Sequence, residues 1–133
     1  MLKKVLVVDD SVLIHEMYSL VLLRYNCEMV NAMNGQEALD ILAAQRDFQL
    51  VLLDIHMPVM DGIQFMEKAK TLGLTNSFPI IILSAEGKEE DTIKGLKLGA
   101  RGYLKKPFKS ADLYDLIGKI FAQQEAGDVH ACR

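Results

Sequence analysis

Apolar and polar positions follow two rhythms along this chain. Short apolar-rich runs at about 4–8, 28–32, 50–53, 79–83 and 101–104 have the length and composition of strands. Between them the spacing becomes helical. Leu13, Met17, Leu20, Val21 and Arg24 recur at i, i+4, i+7, i+8 and i+11 and predict the stripe of a first helix; Ala38, Ile41 and Leu42 repeat the helical spacing in a second. Asn34 is placed as the N-cap of that second helix with Glu37 reaching back, and Asp61 with Gln64 offers the same geometry for a third helix over 62–72, stopped by Gly73. A fourth helix, 88–98, ends at Gly99, and its sparse apolar positions, chiefly Ile93, Leu96 and Leu98, predict the least firmly docked helix. Ser110 is the expected cap of a fifth, with Leu113, Leu116, Ile117, Ile120 and Phe121 on one stripe.

Strand and helix alternating in this way predict an α/β domain with a parallel sheet, and strands that are mostly apolar throughout require helices on both faces. Right-handed crossovers then lead to a doubly wound three-layer sandwich. Ligands of such folds bind at the carboxyl ends of the strands, where the winding reverses. Asp9, Asp10, Asp54, Ser84 and Lys106 all fall just past predicted strand ends, although they are scattered along the sequence. Carboxylates gathered on one edge repel unless a hard cation joins them, and oxygen-only ligands suit magnesium, or manganese in its place. Lys106 adds a fixed positive charge and Ser84 a hydroxyl. Cation, ammonium and hydroxyl together match the oxygens of a phosphoryl group in transfer. Asp54, which ends the apolar run Leu50-Val51-Leu52-Leu53, is ionised at neutral pH and needs no general base to attack phosphorus. The expected product is an aspartyl phosphate on Asp54.

Composition narrows the field. The 133 residues fit one domain, and a net charge of −3 supplies no basic footprint for nucleic acid. No apolar stretch reaches the roughly 18 residues of a membrane span or has the form of a signal peptide, so no membrane contact and a cytoplasmic location are expected. Cys27 and Cys132 are too few for a disulfide framework or a zinc site, and the methionines read as packing residues. His15, His56 and His130 lack metal-ligand spacing; His15, on the first helix, reads as a surface residue.

Four motifs occur in order: Val8-Asp9-Asp10-Ser11, Leu53-Asp54-Ile55-His56-Met57-Pro58-Val59-Met60-Asp61-Gly62, Ile82-Leu83-Ser84-Ala85 and Gly99-Ala100-Arg101-Gly102-Tyr103-Leu104-Lys105-Lys106-Pro107-Phe108. Through them the chain, over about residues 3–123, resembles the receiver domain of two-component response regulators, in the layout of the stand-alone chemotaxis-type members. The resemblance implies a flavodoxin-like sheet of order 2-1-3-4-5 with five helices, a receiver domain over 1–123, and a tail or linker over 124–133. It implies phosphoryl transfer to Asp54 from a sensor histidine kinase or a phosphotransfer protein. The metal would be held by Asp10, Asp54 and the backbone carbonyl of His56, with Asp9 helping through water. Lys106, Ser84 and the backbone of Ala85 are the implied phosphoryl contacts, Ser84 and Tyr103 the implied switch pair, and the Lys106–Pro107 peptide is usually cis in the family. The fourth helix, fifth strand and fifth helix form the implied output face toward a downstream protein, in a monomer or a dimer formed on phosphorylation. His56 and Glu86, two residues after Asp54 and Ser84, stand where the family tunes the lifetime of the acyl phosphate.

The chain also departs from the family pattern. Gln64 stands where many members carry an acid, and Arg101-Gly102 replaces a frequent acidic pair, changes that alter the surface field rather than the phosphoryl chemistry. Residues 124–133 show no helical stripe and leave no space for a DNA-binding output domain in this chain. A phosphorylation-independent pseudo-receiver acting as an interaction module is one alternative, and the N-terminal receiver of a longer regulator is another. A dehalogenase-like phosphohydrolase typically places an acid two residues after its nucleophile, where this chain has His56. A flavin-binding protein wants a Ser/Thr/Gly-rich loop where Asp9-Asp10 would repel phosphate.

Overall fold

In the computed structural model of the chain, residues 2–85 and 87–131 are described, with side chains as far as residue 122. Strands β1 (Lys4–Val8), β2 (Glu28–Ala32), β3 (Leu50–Asp54), β4 (Ile80–Ser84) and β5 (Gly102–Lys105) lie parallel in the order β2-β1-β3-β4-β5. The last two begin one residue later than the sequence predicts. Pro79 has no N–H to give the ladder, and only its carbonyl takes part, accepting from the Val51 N–H at 3.0 Å. β3 starts where predicted and runs one residue further, so that Asp54, like Ser84 on β4, is the final residue of its strand rather than the residue just beyond it.

Helices α1 (Val12–Val21), α2 (Gly35–Ala44), α3 (Gly62–Thr71), α4 (Glu89–Lys97) and α5 (Ser110–Ala131) connect and follow the strands. Because side chains alternate across a strand, Leu6, Val8, Val51, Leu53 and Ile80 face α2 and α3, while Val5, Val7, Leu50, Leu52, Ile81 and Leu83 face α1 and α5. Helix α4 buries only Thr92 and Gly95. It thus lacks the roughly 1.5–3 kcal/mol that each buried Leu or Ile supplies to its neighbours. No helix among the described residues is long and apolar enough to cross a membrane.

Several caps form as expected: Asn34 accepts from the Glu37 N–H at 2.9 Å, and Asp61 and Gln64 close a reciprocal capping box. Glu37 reaches one residue further back than expected, to the Met33 N–H at 3.4 Å. Ser110 is the first residue of α5 and not its cap; the cap position falls on Lys109, whose N–H is taken by the Asp112 carboxylate at 3.2 Å. The α5 backbone also continues past 123 to Ala131. Gln123, Gln124, Glu125 and Ala126 are good helix formers, so the helix propagates there without an apolar stripe.

The largest correction concerns α1. Leu13 and Leu20 are about 70% exposed, and Met17 also faces outward. The buried line runs one to two positions further along, through His15 and Tyr18 to Leu22 in the 3-10 turn Leu22–Tyr25 that extends the helix. His15 is therefore a core residue, contrary to its reading as a surface one.

Candidate functional site

The winding reverses between β1 and β3, and the loops leaving these two strands face one another across the crevice. Asp9 and Asp10 follow β1, Asp54 ends β3, and carboxylate oxygens of all three lie within 4.8 Å of one another. Asp9 and Asp54 are buried whereas Asp10 is exposed. Asp9 is fixed at both ends: its N–H donates to the Ala32 carbonyl at 3.0 Å, and its Oδ1 accepts from the Ser11 N–H at 2.9 Å. Asp54 Oδ1 accepts from the His56 N–H at 3.4 Å.

Lys106 arrives from the far end of the chain. Its backbone N–H donates to the Ser84 carbonyl at 2.7 Å, continuing the β5 ladder by one step. From that anchor its Nζ lies 3.2 Å from Asp9 Oδ2 and 3.4 Å from Asp54 Oδ1. The following Lys106–Pro107 peptide is cis. Burial holds the Asp54 carboxyl above its ordinary range; Lys106 pulls it down, Asp9 pushes it up, and the first effect is the largest.

One ammonium against three carboxylates leaves the cluster negative, and every donor is an oxygen. This set fits a hard divalent cation: magnesium needs few protein ligands, and softer metals prefer nitrogen or sulfur. The loop after Asp54 is held close by Gly62, whose N–H donates to the Ile55 carbonyl at 2.7 Å. A Cβ at Gly62 would stand 2.7 Å from the Asp54 carbonyl oxygen, so only glycine permits this approach. Val59 in the same loop adopts φ 67°, a left-handed conformation that is costly for a β-branched residue.

Ser84 is buried beside the cluster at the end of β4, with Ala85 exposed after it. Tyr103 is half exposed, on the rim of a cavity of about 260 Å³ lined by Ser84, Thr92, Ile93 and Leu96. The His56 ring lies toward α4, with Nε2 3.7 Å from Asp91 Oδ2. Glu86, its expected companion, lies outside the described residues.

Three neighbours were not legible as site residues in the sequence. His15 Nε2 donates to the Asp9 carbonyl at 2.7 Å and its Nδ1 meets Asn31 Oδ1 at 2.8 Å, tying α1 and β2 to the acidic loop. The Tyr18 hydroxyl is buried with no hydrogen-bond partner among the described residues, and burial, then the charges of Asp9 and Asp54, push its ionisation far above the ordinary value. Thr92 on α4 places its hydroxyl 2.9 Å from that of Ser84. The first two lie on the buried line of α1, and the helical spacing of that line was their one available signal; Thr92 had none.

The family model for the response regulator receiver domain matches residues 5–118. The chain is 34% identical over 129 residues to the phosphate regulon transcriptional regulatory protein PhoB of Pseudomonas aeruginosa, covering 97% of this chain and 56% of that protein. It is 33% identical over 120 residues to the probable transcriptional regulator ycf29 of Pyropia yezoensis, covering 90% and 54%. The chain thus spans about half the length of the curated relatives it matches. Among solved structures, the chemotaxis protein CheY4 of Vibrio cholerae superposes with a TM-score of 0.78 at 33% identity, covering 90% of this chain and 98% of that one.

Proposed function

The chain belongs to the response regulator receiver family, the signalling phosphoacceptors of two-component systems, and on that premise we propose that Asp54 accepts a phosphoryl group from a histidine kinase or phosphotransfer protein. The observation that carries this reading is the cluster of Asp9, Asp10 and Asp54 with Lys106 bridging two of its members. A carboxylate oxygen of Asp54 attacks the phosphorus of a donor phosphohistidine. The P–N bond breaks, and its electron pair stays on the donor imidazole. Asp10, Asp54 and the His56 carbonyl would hold magnesium or manganese, with Asp9 acting through water; when bound, the ion supplies positive charge against the carboxylates and the phosphoryl oxygens. Lys106 neutralises part of the new charge from its place between Asp9 and Asp54, while the Ser84 hydroxyl and the Ala85 N–H donate to the phosphoryl oxygens.

The exposed apolar face of α1 supports a docking role for the phosphodonor. Leu13 and Leu20 lie on the helix that leaves Asp9-Asp10, and a groove lined by Ile14, Met17, Pro107 and Phe108 opens beside Lys106. On the other side of the site, movement of Ser84 toward the phosphoryl group makes room for Tyr103 to turn into the cavity under α4. That repacking changes the face of α4, β5 and α5 offered to a downstream protein. His56, together with Glu86, sets the lifetime of the acyl phosphate by ordering or repelling the hydrolytic water. The receiver unit is taken as 1–123 and its setting as cytoplasmic. CheY4 is a chemotaxis protein and PhoB a longer transcriptional regulator, of which the matched region makes up 56%, and the proposed switch operates alike in either arrangement.

The test is magnesium-dependent labelling by acetyl phosphate and by a phosphorylated histidine kinase. The wild type should acquire a labile phosphate that Asp54→Asn abolishes and Asp10→Asn weakens. Absence of any Asp54-dependent phosphate with both donors moves the reading to a phosphorylation-independent interaction module. Leu13→Ser with Leu20→Ser should slow transfer from the kinase and leave acetyl phosphate labelling unchanged; equal loss with both donors removes α1 as the docking face.

A further inference from the structure

The hydroxyl of Thr92 has no part in the chemistry above, yet it occupies the one buried polar position through which α4 touches the site. Thr92 is 6% exposed, and its Oγ1 lies 2.9 Å from Ser84 Oγ and 3.1 Å from the Lys88 carbonyl oxygen. Each hydroxyl carries a single proton, and the Lys88 carbonyl can only accept. Two proton arrangements share these positions. In the first, Ser84 donates to Thr92 and Thr92 donates to Lys88; both protons are used, and the Ser84 proton is committed to α4. In the second, Thr92 donates to Ser84, and the Ser84 proton is free for the acidic site. The Lys88 carbonyl keeps the Thr92 backbone N–H at 3.1 Å in either case, so exchanging one arrangement for the other strands no backbone group.

We propose that Thr92 is a positioning residue that acts through Ser84: it holds back the Ser84 proton in the resting state and releases it when a phosphoryl group arrives on Asp54. The proposal rests on Asp54 being the phosphoacceptor. Nothing else buried on α4 competes for this role, because its other buried residue is Gly95, which has no side chain and lies against Ile82. The hydroxyl relay makes α4 the partner of the switch serine before phosphorylation, so its position and the aim of Ser84 are set together. Removing the Thr92 hydroxyl leaves the Ser84 proton without a buried acceptor in the resting state. In the phosphorylated state the loss leaves only an under-used acceptor on Ser84, which is the lesser cost. The equilibrium therefore moves toward the active arrangement.

The experiment measures beryllofluoride binding, as a phosphoryl mimic, in magnesium by calorimetry on the wild type, Thr92→Val and Thr92→Ser, with urea unfolding run in parallel. Thr92→Val should bind about five- to tenfold more tightly than the wild type, and Thr92→Ser, which keeps the hydroxyl, should restore the wild-type affinity. Thr92→Ala repeats the comparison if the valine variant does not fold. Affinity unchanged or weakened in both hydroxyl-free variants overturns the role of Thr92 while leaving Asp54 as the acceptor. A wild type that binds no beryllofluoride, in a preparation shown to be folded, overturns the phosphoacceptor reading and the Thr92 proposal with it.

Discussion

Replacing Asp54 by Asn removes one charge from the acidic cluster and keeps the side-chain shape, so its effect on stability reports how that charge is tolerated. At an effective dielectric constant of about 20, Asp9 within 4.8 Å of Asp54 opposes its charge by at least about 3.5 kcal/mol, and Lys106 at 3.4 Å returns about 4.9 kcal/mol. The exposed Asp10 is largely screened by water, and the Asp9 and Lys106 terms leave a difference of at most about 1.4 kcal/mol. The several kcal/mol needed to desolvate a buried ion then decide the sign, in agreement with the raised pKa of Asp54 and with burial as its leading cause. After the smaller cost of a buried amide, Asp54→Asn should be more stable than the wild type by about 1–2 kcal/mol at neutral pH without divalent cation, a midpoint rise of about 3–8 °C. The pH dependence has a fixed direction. Because the folded-state value is raised, protonated Asp54 contributes stability that is complete below the ordinary value of 3.8 and lost as the pH rises through the folded value. The advantage of Asn should therefore shrink on acidification. Magnesium at about a hundred times its dissociation constant adds about 2.7 kcal/mol to the wild type, and it should add less to the variant. Urea unfolding at neutral and acidic pH, with magnesium and with chelator, measures all of this. An Asn variant less stable than the wild type in chelator at neutral pH, or one that gains as much from magnesium, refutes the reasoning.

Gly62→Ala places a Cβ against the backbone of Asp54 and Ile55; a loss of about 2–4 kcal/mol with impaired labelling of Asp54 is expected, and stability within experimental error of the wild type contradicts it. His15→Leu removes the ring that meets the Asp9 carbonyl and the Asn31 side chain and leaves both without it, and urea unfolding should show a loss of about 1–3 kcal/mol together with weaker magnesium binding by calorimetry. Val59→Asn relieves a β-branched residue at φ 67° and should raise the urea midpoint by an equivalent of about 0.5–1.5 kcal/mol without changing the slope; a lower midpoint counts against strain at this turn.

Legibility differed with the kind of interaction. The strands read well because their signal is local composition, and Asn34, Asp61 and Gly73 read well because caps act within a turn of their own position. The first helix is ambiguous in sequence because it carries two lines at helical spacing. The outward line of Leu13, Met17 and Leu20 is the more hydrophobic, while the buried line contains His15 and Tyr18, whose polar atoms lower its apparent hydropathy. Among the site residues, the carboxylates, Ser84 and Lys106 were visible from their positions at strand ends. His15 and Thr92 were not, because each meets its partners, Asp9 and Asn31 or Ser84, only when separate elements pack together.

The contact between Lys106 and Asp9 joins residues 97 apart in sequence, and the strand that delivers Lys106 is the outermost of the sheet on its side. Contacts of such separation come at a high loop-closure cost and tend to form late. The carboxylates of Asp9, Asp10 and Asp54 can be assembled by β1 and β3 alone, but their counter-charge arrives only with β5. A chain shorter than β5, or one still emerging from the ribosome, holds the acids without the ammonium. If Asp54 is the phosphoacceptor proposed above, competence to receive a phosphoryl group belongs to the finished sheet, and incomplete molecules hold only the uncompensated acids.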